Sequence, residues 1–118
     1  MKEIIEFKEE YYENLLNNIK THASEIFEKI SSNKEIDVQD NEEFINTSLD
    51  TIEILLKQST MHNEDFLLEL QSYLKRIQSL LGHYNKTENH EEKKGLLHKY
   101  KYRILKGLLD LEYEIGTI

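Results

Sequence analysis

No proline interrupts this chain of 118 residues, and only four glycines do. Hairpins and sandwiches need those residues at their turns, so a β architecture has almost no punctuation to work with. Leu, Ile, Glu and Lys dominate instead, and three of these four are strong helix formers. The fold class read from the sequence is all-α. The apolar residues recur at steps of three and four and are not thinned evenly as in a disordered chain, which points to folded amphipathic helices.

From Lys2 to Ser31 the residues Ile5, Tyr12, Leu16, Ile19, Ala23, Ile26 and Ile30 mark one helical face. Glu3, Glu6, Glu9, Glu10 and Glu13 crowd its first half, where carboxylates suit the positive end of the helix dipole. Residues 31–39 lose the periodicity and collect Ser31, Ser32, Asn33 and Asp37, so they read as the one sizeable linker. Asp40 and Glu43 have capping-box spacing ahead of Ile45, Leu49, Ile52 and Leu56, predicting a second helix over 41–58. After a break at Ser59 to Asn63, the run Phe66, Leu67, Leu70, Tyr73, Leu74, Ile77, Leu80 and Leu81 predicts a third helix over 63–82, ending near Gly82. Asn89 and Glu92 repeat the cap-plus-acid spacing before a last helix over 89–115, with Gly116 as its stop. Short second and third connections favour an antiparallel, up-down-up-down four-helix bundle as a single domain over 1–118. A three-helix bundle with the last two helices fused is the alternative.

Composition narrows the function classes. A hydrophobic fraction of 38% in a chain of this length supports one modest core. Without cysteine there are no disulfides, thiolate metal sites or cysteine nucleophiles. No apolar run approaches the roughly 18–20 residues of a membrane span, and the segment Met1 to Glu10 lacks a signal peptide's basic and apolar regions, so a cytoplasmic protein without membrane contact is expected. A net charge of −8 opposes general attraction to nucleic acid or to an anionic membrane.

No residue pattern points to catalysis or a cofactor. None of the five histidines follows a Glu by three residues, the spacing of di-metal carboxylate sites, and His90 and His98 are turned about 80° apart on a regular helix. There is no glycine-rich phosphate loop, and no serine or threonine lies in a recognisable nucleophile setting. The sequence therefore predicts no catalytic, metal or cofactor-binding residues, and the abundant carboxylates read as the polar faces of amphipathic helices.

The last helix is the informative one. Between Lys93 and Lys106 it holds Lys93, Lys94, Lys99, Lys101, Arg103 and Lys106 with no acid among them. At about 100° per residue, Lys99, Arg103 and Lys106 share a face roughly opposite Leu97, Ile104, Leu108 and Leu111, the expected core residues, while Lys101 borders the core. With Tyr100 and Tyr102 interleaved, this basic face could grip phosphates and stack on a base. The reading preferred on net charge is that these bases answer acids elsewhere in the bundle, including Glu25 and Glu28.

The same helix carries a second apolar stripe, His98, Tyr102, Leu105, Leu109 and Tyr113, rotated by about 130° from the first. Either this is the most buried helix, packed on two neighbours with a wide apolar arc, or the stripe is a docking surface for a partner helix or a second copy. Gly107 costs about 1 kcal/mol relative to alanine inside a helix, which marks either close approach by another backbone or drift. Ile54 and Leu68 fall off the apolar faces and are given no role. Asp110, Glu112 and Glu114 sit at the unfavourable end of the helix dipole, where either a basic partner meets them or core packing carries the small cost.

The function expected from these features is a non-enzymatic interaction protein, a regulator, inhibitor or immunity-type binder. It would act through the last helix and the acidic first helix on a protein partner or on a second copy as a homodimer. The alternative is a nucleic-acid accessory protein using Lys99, Arg103 and Lys106.

Overall fold

A computed structural model describes the backbone of residues 2–58 and 61–117 and the side chains of 12–58 and 64–113. The fold is all-α, with four helices: α1 (Lys2–Ser31), α2 (Val38–Gln58), α3 (Met61–Lys86) and α4 (His90–Thr117). The three-helix alternative does not form, because residues 87–89 separate α3 from α4. α4 packs on α1 and on α3, α3 packs on α2, and α1 touches α3 more lightly. The molecule measures 53 × 24 × 19 Å. At about 1.5 Å per residue, the 30 residues of α1 cover most of the long dimension, so the helix lies along it. No helix among the described residues is long and apolar enough to cross a membrane.

Helix ends follow local chemistry. α1 stops in a Schellman turn: Asn33 takes a left-handed conformation (φ 55°), and the Lys34 N–H donates to the Lys29 carbonyl at 2.9 Å. α2 begins three residues before the expected Asn41, because the cap is Asp37 and not Asp40. The Asp37 Oδ1 accepts the Asp40 N–H at 3.0 Å, and its carbonyl accepts the Asn41 side-chain amide at 2.8 Å. Asp37→Ala is therefore expected to cost about 1 kcal/mol in urea unfolding. Asp40→Ala is expected to cost no more than about 0.5 kcal/mol through the helix dipole. Equal losses would show that Asp37 is not the cap.

α3 continues one turn past Gly82, because Leu81 is buried and Tyr84 packs against the core, so burial favours the helix beyond the glycine. Its last turn is closed by the Thr87 hydroxyl, which donates to the His83 carbonyl at 2.7 Å. Asn89 caps α4 as the sequence suggests, its Oδ1 accepting the Glu91 N–H at 2.8 Å. α4 then runs through Gly116, the expected stop, to Thr117.

α1 contributes Tyr12, Leu16, Ile19, Ala23, Ile26, Phe27 and Ile30 to the core. α3 contributes Leu67, Leu70, Leu74, Ile77, Leu80 and Leu81, while α2 adds Ile45 and Ile52 together with the buried Ser48. Ile104, Leu108 and Leu111 come from α4. Leu49, Leu56 and Leu97, expected on core faces, lie half-buried at its edge, and Phe27 joins the core from outside the expected stripe. The side chain of Ile5 lies outside the described residues. Tyr12 meets Phe66 of α3 at 5.9 Å between ring centroids, and His22 stacks on Phe44 of α2 at 3.6 Å and 11°. Lys20 of α1 forms an ion pair with Glu112 of α4.

Gly107 is buried, and the atoms nearest the place of a β-carbon belong to a side chain and not to a backbone. A β-carbon at this position would stand 2.1–2.2 Å from the ring and hydroxyl of Tyr73, so the glycine makes room for an aromatic side chain of α3. A second link in the same seam joins the Tyr100 hydroxyl to His83 Nδ1 at 2.9 Å. Tyr73 faces Gly107 and the later His83 faces the earlier Tyr100, so α3 and α4 run in opposite directions.

Candidate functional site

Among the described residues α4 packs chiefly on α1 and α3. Gly107 and Tyr100 turn toward α3, Ile104, Leu108 and Leu111 toward the core, and Glu112 toward α1. Tyr102, Leu109 and Tyr113 of the second apolar stripe are exposed, away from these contacts.

Tyr102 is 71% exposed, Leu109 54% and Tyr113 75%, and these are three of the five large apolar side chains exposed among the described residues. His98 is exposed too, whereas Leu105 is half-buried and packs against the core. α4 is thus not the most buried helix: among the described residues it sends fewer apolar side chains into the core than α1 or α3. Its wide apolar arc is not filled by two neighbours. The other two exposed apolar residues, Ile54 and Leu68, stand singly on α2 and α3.

Beside the strip runs the basic row. Lys99, Arg103 and Lys106 are all exposed, and none has a carboxylate within ion-pairing distance among the described residues. Glu25 and Glu28 are exposed on α1 and form no ion pair with this row. Asp110, one turn beyond Lys106, is the nearest acid in sequence. Two of the ammonium groups rest over tyrosine rings: Lys106 Nζ lies 5.6 Å from the centroid of Tyr102, and Lys99 Nζ lies 5.4 Å from that of Tyr100. Lys101, expected to border the core, is exposed.

The basic surface extends onto α3, which the sequence reading of α4 alone missed. Lys75 and Arg76, with Leu68, Ser72 and Ser79, form one side of an open cleft of about 460 Å³ whose other side is Tyr100. The Arg76 guanidinium carbon stands 5.3 Å from the Tyr73 centroid, beside Gly107. The available signal was the short link between α3 and α4, which favours antiparallel neighbours and so sets part of α3 beside the basic row of α4.

A second cleft of about 180 Å³, lined by His22, Glu25, Lys29, Asp37 and Asp40, lies where α1 turns into α2. Lys29 offsets its carboxylates, and Asp37 is engaged as the cap of α2. Among the described residues no three His, Asp or Glu side chains are grouped to hold a metal ion. Of the acidic residues early in α1, Glu13 is exposed, and the side chains of Glu3, Glu6, Glu9 and Glu10 lie outside the described residues. Comparison with protein-family models, with curated proteins and with solved structures found no match to this chain.

Proposed function

We propose that this chain is a non-enzymatic, cytoplasmic binding protein that acts by docking the outward face of α4 on another protein, as a regulator or inhibitor does. The observation that carries this reading is the exposure of Tyr102, Leu109 and Tyr113 at helical spacing on one face. Large apolar side chains scattered singly on a surface are ordinary, but a continuous strip of them is what an interface buries. Tyrosine suits such a strip, because it offers apolar area together with a polar tip. The short connections after α2 and α3 support an up-down-up-down order, in which α4 lies between α1 and α3 and keeps this face free.

The test separates surface from core by leaving the half-buried Leu105 untouched. A Tyr102→Glu, Leu109→Glu double variant is expected to keep the circular dichroism of wild type and to unfold within about 0.5 kcal/mol of it, as surface changes do. Immobilised wild type, exposed to extract of the cells that make it, should retain a protein that the variant does not. That protein, identified by mass spectrometry and purified, should bind wild type at least about tenfold tighter, which corresponds to roughly 1.4 kcal/mol. A folded variant that retains the same proteins as wild type overturns the reading.

A further inference from the structure

We infer that the partner of the α4 face is an acidic amphipathic helix, whose apolar ridge covers Tyr102, Leu109 and Tyr113 and whose carboxylates meet Lys99, Arg103, Lys106 and, across the seam, Arg76. The inference rests on the reading of this face as a protein-docking surface and adds the chemistry of what docks. From His98 to Tyr113 the strip is one to two residues wide and, at about 1.5 Å per residue, about 22 Å long. That is a straight ridge of about four turns, the footprint of another helix laid along it and not of a globular knob.

Charge selects the helix. The whole chain carries −8, yet the flank of this strip carries only bases from Lys99 to Lys106, none paired with a carboxylate among the described residues. Along the length of the strip this flank holds Lys99, Arg103 and Lys106 against one carboxylate, Asp110, although acids outnumber bases in the chain as a whole. Exposed ammonium and guanidinium groups beside an apolar strip give register and partner choice to an acidic ligand, as flanking charges do in coiled coils.

A second copy of this chain fits poorly. In a two-fold contact with antiparallel α4 helices, each flank faces its own counterpart, so Lys99, Arg103, Lys106 and Asp110 of one copy face the same four residues of the other, three bases to one acid on each side. With parallel helices the basic flank would face the α1 side of α4, where exposed Lys94 and Lys101 accompany a Glu112 already paired with Lys20. Bases outnumber acids at the contact in both arrangements. Nucleic acid would use the same bases, but it has no use for Leu109 and Tyr113 beyond them and is opposed by the net charge.

The probes are two synthetic helical peptides of about three heptads with the same leucine ridge, one carrying glutamate and the other lysine at the flanking positions. By fluorescence anisotropy with the full chain, the glutamate peptide is expected to bind at least about tenfold tighter than the lysine peptide, with affinity falling as salt rises. An Arg103→Glu, Lys106→Glu variant should reverse that order, and Tyr102→Glu, Leu109→Glu should abolish binding of both peptides. Equal binding of the two peptides overturns the acidic partner while leaving the docking face intact. Failure of the glutamate peptide to bind overturns it as well. Binding of that peptide undiminished by Tyr102→Glu, Leu109→Glu instead overturns the docking face itself. A labelled oligo-dT strand bound more tightly than either peptide would assign the face to nucleic acid. A wild-type dimer by light scattering that becomes monomeric with Leu109→Glu would assign it to self-association.

Discussion

Phe27→Ala is expected to cost about 3–5 kcal/mol of unfolding free energy. The ring is 1% exposed on α1, beside Ile26 and one turn before Ile30, in the buried cluster that joins the four helices. Truncation removes the transfer energy of the whole ring and leaves a cavity that the surrounding packed helices close only in part. Set against the roughly 5–15 kcal/mol of a typical domain, the loss is a large share of the total. It should appear as a lower urea midpoint with the slope of the transition unchanged. Ile54→Ala, on the exposed face of α2, is the control and should move stability by less than about 0.5 kcal/mol. A loss below about 1 kcal/mol for Phe27→Ala would mean that this end of the core is loosely packed.

Phe27 also shows where the sequence stops being legible. The four helices follow from residues that repeat every three or four positions, and the lower bound of α1 and the upper bounds of α1 and α2 fall where that repeat begins or fails. Phe27 lies one step from Ile26, so a single stripe admits one of the two, and only the number of neighbours around α1 decides that both are buried. The start of α2 was misplaced for a related reason. Asp37 and Asp40 both have a capping side chain, and the choice between them depends on where the Schellman turn at Asn33 releases the chain. Gly82 reads as a stop only if nothing beyond it is buried, yet Tyr84 packs against the core.

The face of α4 was legible in part. Its two stripes and its basic row can be read from spacing alone, but whether a stripe is covered depends on how many helices surround it. α1 and α3 occupy one side and leave Tyr102, Leu109 and Tyr113 outside, while Leu105, in the same stripe, reaches the core edge. Lys75 and Arg76 carried no signal of their own, since they look like any solvated pair on α3 until Tyr100 is set beside them.

The effect of Gly107→Ala should change sign with the residue at position 73. A methyl group there would stand 2.2 Å from Tyr73 Cε1, 2.1 Å from Cζ and 2.2 Å from the hydroxyl, where carbon atoms settle at about 3.5–4.0 Å. The ring must give way, and it is half-buried against the core with the Arg76 guanidinium beside it. Displacing it opens the α3–α4 seam at an overpacking cost of about 1–3 kcal/mol. Alanine's helix propensity returns about 1 kcal/mol of that, so the net expectation in the native background is a loss of about 1 kcal/mol. With Tyr73→Ala the ring is gone, the methyl enters vacated space, and Gly107→Ala should stabilise by about 1 kcal/mol. The difference, about 2 kcal/mol, is the coupling that a double-mutant cycle in urea would read. Tyr73→Phe removes only the hydroxyl and leaves Cζ and Cε1 in place, so in that background the substitution should still destabilise. If Gly107→Ala stabilises the native chain outright, the ring swings clear at little cost, and the glycine is not what lets α3 and α4 approach.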